Sequence, residues 1–138
     1  MALDIKKAEY YNITVDGQLA EGSKMLSVFA DAGVNLLAFK AVALEPSCTR
    51  FTLFPNDSSK MKDGARKAGI KLDGPYPSII IKGDTDNSGD LAGIYNKLSQ
   101  ANINVKESSG IADMNGCYGV VLYLESEDCE KALAILEK

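Results

Sequence analysis

The sequence predicts an α+β protein made of two βαββαβ repeats, with helices on one face of antiparallel sheets. Two observations carry this prediction. An amphipathic helix, a tight turn and a strand occur in that order twice, 69 residues apart, and each copy continues into a strand hairpin and a further helix. A helix after the first strand, followed by a hairpin, is the split βαβ arrangement of ferredoxin-like folds.

The repeated helix carries one face of apolar or small residues at the i, i+3, i+4, i+7 spacing of a half-buried helix. Gly33 follows the first copy, where a left-handed C-terminal cap needs a residue without a Cβ. Asn102, the other common cap residue, follows the second copy. The predicted inward residues are Gly22, Met25, Leu26, Phe29 and Ala32, and then Leu91, Ile94, Tyr95, Leu98 and Ala101.

The first repeat begins with a strand rich in aromatic and β-branched residues over 10–15, and its first helix continues to residue 32. A hairpin over 35–44 and 49–54 follows, broken by the turn at 45–47. Asp57 is the predicted cap of a second helix over 59–68, with Met61, Ala65 and Ala68 inward. We expect a brief strand at 71–72 before the turn Asp73-Gly74-Pro75.

The second repeat has strands over 78–82, 104–112 and 117–124 and a helix over 89–101. A last helix begins at the predicted cap Ser126, with Cys129, Ala132, Leu133 and Leu136 inward. The repeat then lacks its final strand, which would leave a sheet edge unpaired. We therefore predict that residues 1–7 supply this strand, so that the domains are 8–73 and 77–138 with 1–7 added to the second.

Composition excludes several classes of function. Fifteen basic and nineteen acidic residues give a formal charge of −4, which offers nucleic acid no electrostatic footprint. No apolar run approaches the roughly 20 residues that cross a bilayer, and the start lacks a signal peptide, so we expect a cytoplasmic protein without membrane contact. The chain has no histidine, the usual general base, and we expect no enzyme activity and no cofactor.

No metal site is predicted either. The three cysteines lack CxxC spacing, and an odd number does not indicate a disulfide framework. Residues 84–89 resemble the first half of an EF-hand loop, with oxygen donors at positions 1, 3 and 5 and glycine at 6. The twelfth position is Tyr95 instead of the bidentate glutamate, and a strand precedes the loop, so we reject an EF-hand.

The repeated loop, amphipathic helix, A-G-V-N-L or A-N-I-N-V turn and hairpin resemble a pair of ACT domains, over nearly the whole chain. ACT domains are regulatory modules found on enzymes of amino-acid metabolism. The resemblance implies side-by-side pairing of the domains, within one chain or between chains. It also implies a small effector, usually a free amino acid, bound at the interface between domains.

The resemblance implies contacts from the loop after the first strand and from the start of the second strand. Independently, a helix N-terminus attracts a carboxylate, glycine lets a ligand approach the backbone, and Asp16 and Asp86 are suited to an α-amino group. The same residues also suit turns and caps alone. The predicted ligand-binding residues are Asp16, Gly17, Gln18, Leu19, Asn35 and Leu36 in the first repeat, and Asp86, Asn87, Ser88, Gly89, Asn104 and Val105 in the second.

The leading hypothesis is a non-catalytic sensor that binds a free amino acid or a similar metabolite and regulates a separate partner enzyme. An alternative is a structural or assembly module without a ligand, and a third hypothesis is an enzyme on a ferredoxin-like scaffold. Because an edge strand has unpaired backbone groups that can pair with another chain, we expect a homodimer. Ala20 stands where the second loop has Gly89, so the two repeats are not expected to have equivalent sites.

Overall fold

The computed structural model describes residues 3–17, 19–44, 47–84 and 89–137. This part of the chain forms six strands and four α-helices, which confirms the predicted α+β fold of two ferredoxin-like repeats. A short 3₁₀ turn (Ser126–Asp128) precedes the last helix. In chain order the elements are β1 (Asp4–Asp16), α1 (Leu19–Asp31), β2 (Leu36–Leu44), β3 (Cys48–Pro55), α2 (Ser58–Ala68), β4 (Asp73–Asp84), α3 (Asp90–Gln100), β5 (Val105–Ala112), β6 (Cys117–Leu124) and α4 (Cys129–Leu136).

The chain divides into two compact units. Glu9–Tyr76 forms the first repeat, and Pro77–Lys138 together with Met1–Ala8 forms the second. Strands β1 and β4 each contribute one part to either repeat. The strand order is therefore β2-β3-β1-β4 in the first repeat and β1-β4-β6-β5 in the second, with β2 and β5 outermost.

Each repeat has its own apolar core between its helices and its strands. Phe29, Leu53 and Met61 are among the buried residues of the first core. The second core contains Ile79, Ile94 and Leu122, and Leu3 and Ile5 pack against it. The N-terminal segment therefore buries its apolar side chains in the second repeat, although it is continuous with the first strand of the first repeat.

Both copies of the repeated helix end in the predicted left-handed residue. Gly33 has φ 82° and Asn102 has φ 61°. In each copy this residue donates its N–H to the carbonyl three residues back, and the next residue donates to the carbonyl five back, at 2.9–3.0 Å. These are the two hydrogen bonds of a Schellman cap.

The predicted strand at 71–72 and the turn Asp73-Gly74-Pro75 are wrong, because these three turn residues open strand β4. The reason lies in pairing with β1. A Cβ at Gly74 would lie 2.8 Å from the carbonyl oxygen of Tyr10, so glycine here permits close approach of two strands and not a reversal of the chain. The local sequence is typical of a turn, but pairing with the neighbouring strand β1 determines the backbone conformation of these residues.

Several predicted inward side chains are exposed, and one predicted cap does not form. Leu26 and Tyr95, which occupy equivalent helix positions, are each 38% exposed, and Leu91 is 51% exposed. Ala68 is also exposed, at the end of α2. Asp57 caps α2 by accepting from the N–H of Lys60, as predicted, whereas α4 has no side-chain cap because Ser126 lies in the preceding 3₁₀ turn.

Candidate functional site

The loop after β1 forms one end of the first repeat. Asp16 ends the strand, and Gly17 follows with φ 94°, a conformation that favours glycine. The Gly17 N–H donates to the carbonyl of Ser47 at 2.8 Å, which ties the loop to the start of β3. Gln18 lies outside the described residues, and of Leu19 only its place at the start of α1 is described.

Asn35 is held by its backbone at the other end of the same repeat. Its N–H donates to Oδ1 of Asn56 at 3.1 Å, and the N–H of Asn56 donates back to its carbonyl at 2.8 Å. Leu36 packs against the first core. Asn56 did not stand out in the sequence, because this paired arrangement depends on the residues where β2 begins and β3 ends.

The predicted ligand contacts of one repeat therefore do not come together within that repeat. In the β-ladders Asp16 lies opposite Cys48 at the start of β3, whereas Leu36 lies opposite Pro55 at its end. Seven residues of strand at about 3.3 Å each separate the two positions by roughly 23 Å. In the second repeat the two ends of β6 are also seven residues apart, with Asp84 opposite Cys117 and Val105 opposite Leu124.

In the second repeat Asp86, Asn87 and Ser88 lie outside the described residues. Gly89 is the residue before α3, and its carbonyl accepts from the N–H of Gly93 at 2.9 Å. It lines a cavity of about 610 Å³. The other lining residues of this α3–α4 cavity are Leu3, Asp4, Ile5, Asp90, Gly93, Ile94, Lys97, Leu136 and Glu137.

Strand register identifies Asp84, and not Asp86, as the counterpart of Asp16. Asp16 lies opposite Cys48, and Asp84 lies opposite Cys117. The two cysteines are 69 residues apart, but the two aspartates are only 68 apart. The loop of the second repeat is therefore one residue longer, which a constant spacing along the sequence does not reveal.

A second cavity, of about 540 Å³, lies in the first repeat between α1 and the strands. Its size falls within the range of about 300–1,000 Å³ that is typical of small-molecule sites. None of the described residues that line it is charged. We call it the α1 cavity, and its lining residues are Val15, Gly22, Ser23, Leu26, Ser27, Ala30, Ala41, Thr49 and Phe51.

Gly22 and Phe51 explain how the α1 cavity is built. A Cβ at Gly22 would lie 2.8 Å from the Cζ atom of the Phe51 ring, so the absence of a side chain lets this ring lie against the first turns of α1. Val15 comes immediately before Asp16 in the chain. The cavity therefore adjoins the end of the repeat that carries the predicted Asp16–Gly17 loop.

The second repeat has a tyrosine where the first has Thr49 in the α1 cavity wall. Tyr118 donates its hydroxyl proton to Oδ2 of Asp90 in the first turn of α3, at 2.9 Å. Partial burial, and after it the hydrogen bond and the negative charge of Asp90, raise the pKa of Tyr118 to about 12. The side chain thus bridges β6 and α3.

Other classes of site find little support among the described residues. They contain no group of three or more histidine, cysteine, aspartate or glutamate side chains placed to hold a metal ion. All three cysteines are free. No helix in this part of the chain is long and apolar enough to cross a membrane.

The two ferredoxin-like repeats give the chain the fold of a tandem ACT-domain protein. No protein-family model matches the sequence, and no curated protein matches it either. Solved structures match the fold. Protein BT0572 from Bacteroides thetaiotaomicron is similar at a TM-score of 0.77 and 16% identity, over 96% of this chain and 88% of that one.

Regulatory parts of aspartate kinases are also similar in structure. The ligand-free regulatory subunit from Thermus thermophilus matches at a TM-score of 0.63 and 16% identity, over 98% of this chain and 93% of that one. A putative C-terminal regulatory domain of aspartate kinase from Porphyromonas gingivalis W83 matches at a TM-score of 0.57 and 19% identity, over 98% of this chain and 94% of that one. At these identities the likeness establishes the fold.

Proposed function

We propose that the protein is a non-catalytic regulatory protein that binds a free amino acid or a similar small metabolite. The observation that carries the proposal is the α1 cavity, a cavity of about 540 Å³ next to the Asp16–Gly17 loop, where every described lining residue is uncharged. The likeness to regulatory subunits of aspartate kinase supports a regulatory role. A partner enzyme would then carry the regulated activity, and the cytoplasmic location expected from the sequence stays a prediction.

Thermal unfolding with each of the twenty amino acids at millimolar concentration tests this function. A ligand that binds only the folded state stabilises it by RT ln(1 + [L]/Kd), about 2.7 kcal/mol at a hundredfold excess over Kd. For a chain of this size the midpoint should rise by several degrees. Selective stabilisation by one or a few amino acids supports the proposal, and a flat panel overturns it.

A homodimer is the second part of the proposal, and β2 is the surface that favours it. Leu37 and Phe39 are 50% and 67% exposed on this outermost strand. At the equivalent positions the outermost strand of the second repeat carries Lys106 and Ser108. An apolar outer strand is a template for pairing with another strand, and two copies of β2 would meet around a twofold axis.

The same observation favours the alternative function, an assembly module without a ligand. Such a module would associate through β2 and show no response to amino acids. Sedimentation analysis together with the thermal panel separates the two functions. Association without any ligand response favours the assembly module, and a ligand response favours the sensor.

A further inference from the structure

We infer that the α1 cavity binds the uncharged, apolar side chain of the effector and that, among the described residues, side chains of the second repeat occupy the equivalent space. The inference rests on the proposed function and deepens it by naming the class of ligand and the repeat that holds it. It makes the effector a free amino acid with an aliphatic or aromatic side chain, such as leucine, isoleucine or phenylalanine.

The lining of the α1 cavity determines this class. Phe51, Leu26 and Val15 supply apolar surface, and the side-chain polar atoms are the hydroxyl groups of Ser23, Ser27 and Thr49. Among the residues that the structure describes, no lysine, arginine, aspartate or glutamate lines it. A charged side chain placed there would lose water without gaining an opposite charge, which is costly, whereas apolar surface gains about 25 cal/mol for each Å² removed from water.

Strand register shows how the second repeat fills the corresponding space. Val15 lies opposite Thr49 in the first repeat, and Gly83 lies opposite Tyr118 in the second. A Cβ at position 83 would overlap the Tyr118 ring, so the glycine is what admits the tyrosine. The ring then extends to Asp90 on α3. A valine and a threonine in one repeat are thus replaced by a glycine and a tyrosine in the other.

At two positions of the repeated helix the second repeat also carries the larger side chain. Leu26 of the α1 cavity is replaced by Tyr95, whose hydroxyl is hydrogen-bonded to that of Ser108 on β5. Gly22 is replaced by Leu91. The second repeat therefore carries larger side chains at these two helix positions, and one of them is hydrogen-bonded to its outer strand.

The test exchanges the two arrangements. Val15→Gly with Thr49→Tyr brings the pair from the second repeat into the α1 cavity, and Gly83→Val with Tyr118→Thr is the matched control. Titration calorimetry and thermal unfolding with leucine, isoleucine, valine, phenylalanine, aspartate, glutamate, lysine and arginine give the readout. We expect apolar amino acids to bind the wild type, the first variant to lose affinity by about tenfold or more, and the control to retain it.

Leu26→Tyr provides a second variant, which should fold normally because the side chain at position 26 is already 38% exposed. It should also weaken binding. Selective binding of charged amino acids, or affinity unchanged in both cavity variants, overturns the inference and leaves the proposed function standing. A flat response to all amino acids overturns both. Loss of the dimer in the cavity variants would show that a side chain of a second copy occupies the cavity, and it would overturn the inference.

Discussion

At the scale of single residues, the buried hydroxyl group of Tyr11 is expected to lower the stability of the folded protein. Tyr11 is 1% exposed in the first core, and its hydroxyl has no hydrogen-bond partner among the described residues. Leaving such a group buried and unpaired costs about 1–3 kcal/mol. Tyr11→Phe should therefore raise the free energy of unfolding by about 1 kcal/mol, as measured by urea denaturation.

Ser78 is the matched comparison, because it is fully buried and paired. Its hydroxyl donates to the carbonyl of Leu122 at 2.6 Å. Ser78→Ala leaves that carbonyl without this bond and should lower stability by about 1 kcal/mol. If Tyr11→Phe destabilises the protein as Ser78→Ala does, the Tyr11 hydroxyl has a partner after all.

Tyr118 predicts how stability depends on alkaline pH. Its pKa is raised in the folded protein, from an ordinary value of 10.0 to about 12, so the folded state resists its ionisation. The unfolded chain releases this proton first, and the contribution to stability is therefore complete below pH 10 and is lost as the pH rises towards 12. Denaturation between pH 9 and 12 should show a steeper loss for the wild type than for Tyr118→Phe. Equal slopes would contradict this assignment.

At the scale of the elements, β1 is one strand whose two parts serve different cores. Ile5 packs against the second core. Ile5→Ala should lower stability by about 1–2 kcal/mol, less than the 2–5 kcal/mol of a fully buried site. Hydrogen exchange should accelerate mainly in Pro77–Lys138, and not in Glu9–Tyr76. Faster exchange confined to the first repeat would argue against this placement.

Lys7→Ala is the control in the same segment. Lys7 forms an ion pair with Glu130 at 2.6 Å, but the two side chains are 47% and 75% exposed. Exposed ion pairs contribute about 0–1 kcal/mol. The variant should therefore change stability less than Ile5→Ala does.

Sequence periodicity predicted the elements well where the determinants are local. The left-handed caps at Gly33 and Asn102 follow from single residues. The α1 cavity did not follow from the sequence, because it depends on residue pairs that meet only across strands, and the 68-residue offset of β4 from β1 breaks the constant spacing. The exposure of Leu26 was missed for the same reason, since helical periodicity does not show which side chains the strands cover.

At the scale of the whole molecule, the apolar surface of β2 predicts self-association. Leu37→Lys with Phe39→Ser gives β2 the residues of the equivalent β5 positions and should convert a dimer to a monomer in sedimentation equilibrium. Ile111→Ser is the control, because Ile111 is 80% exposed on β5 and should leave the mass unchanged. A wild type that is monomeric at all concentrations would contradict the proposal.

The boundaries between the two units lie inside β1 and β4, and this limits how the protein can be divided into fragments. A single cut in the chain cannot release a complete second repeat, because that repeat contains residues from both before and after the first. A gene fragment that encodes only 77–138 would lack the N-terminal strand residues that belong to the second repeat. The second repeat is therefore complete only when the first repeat is present in the same chain.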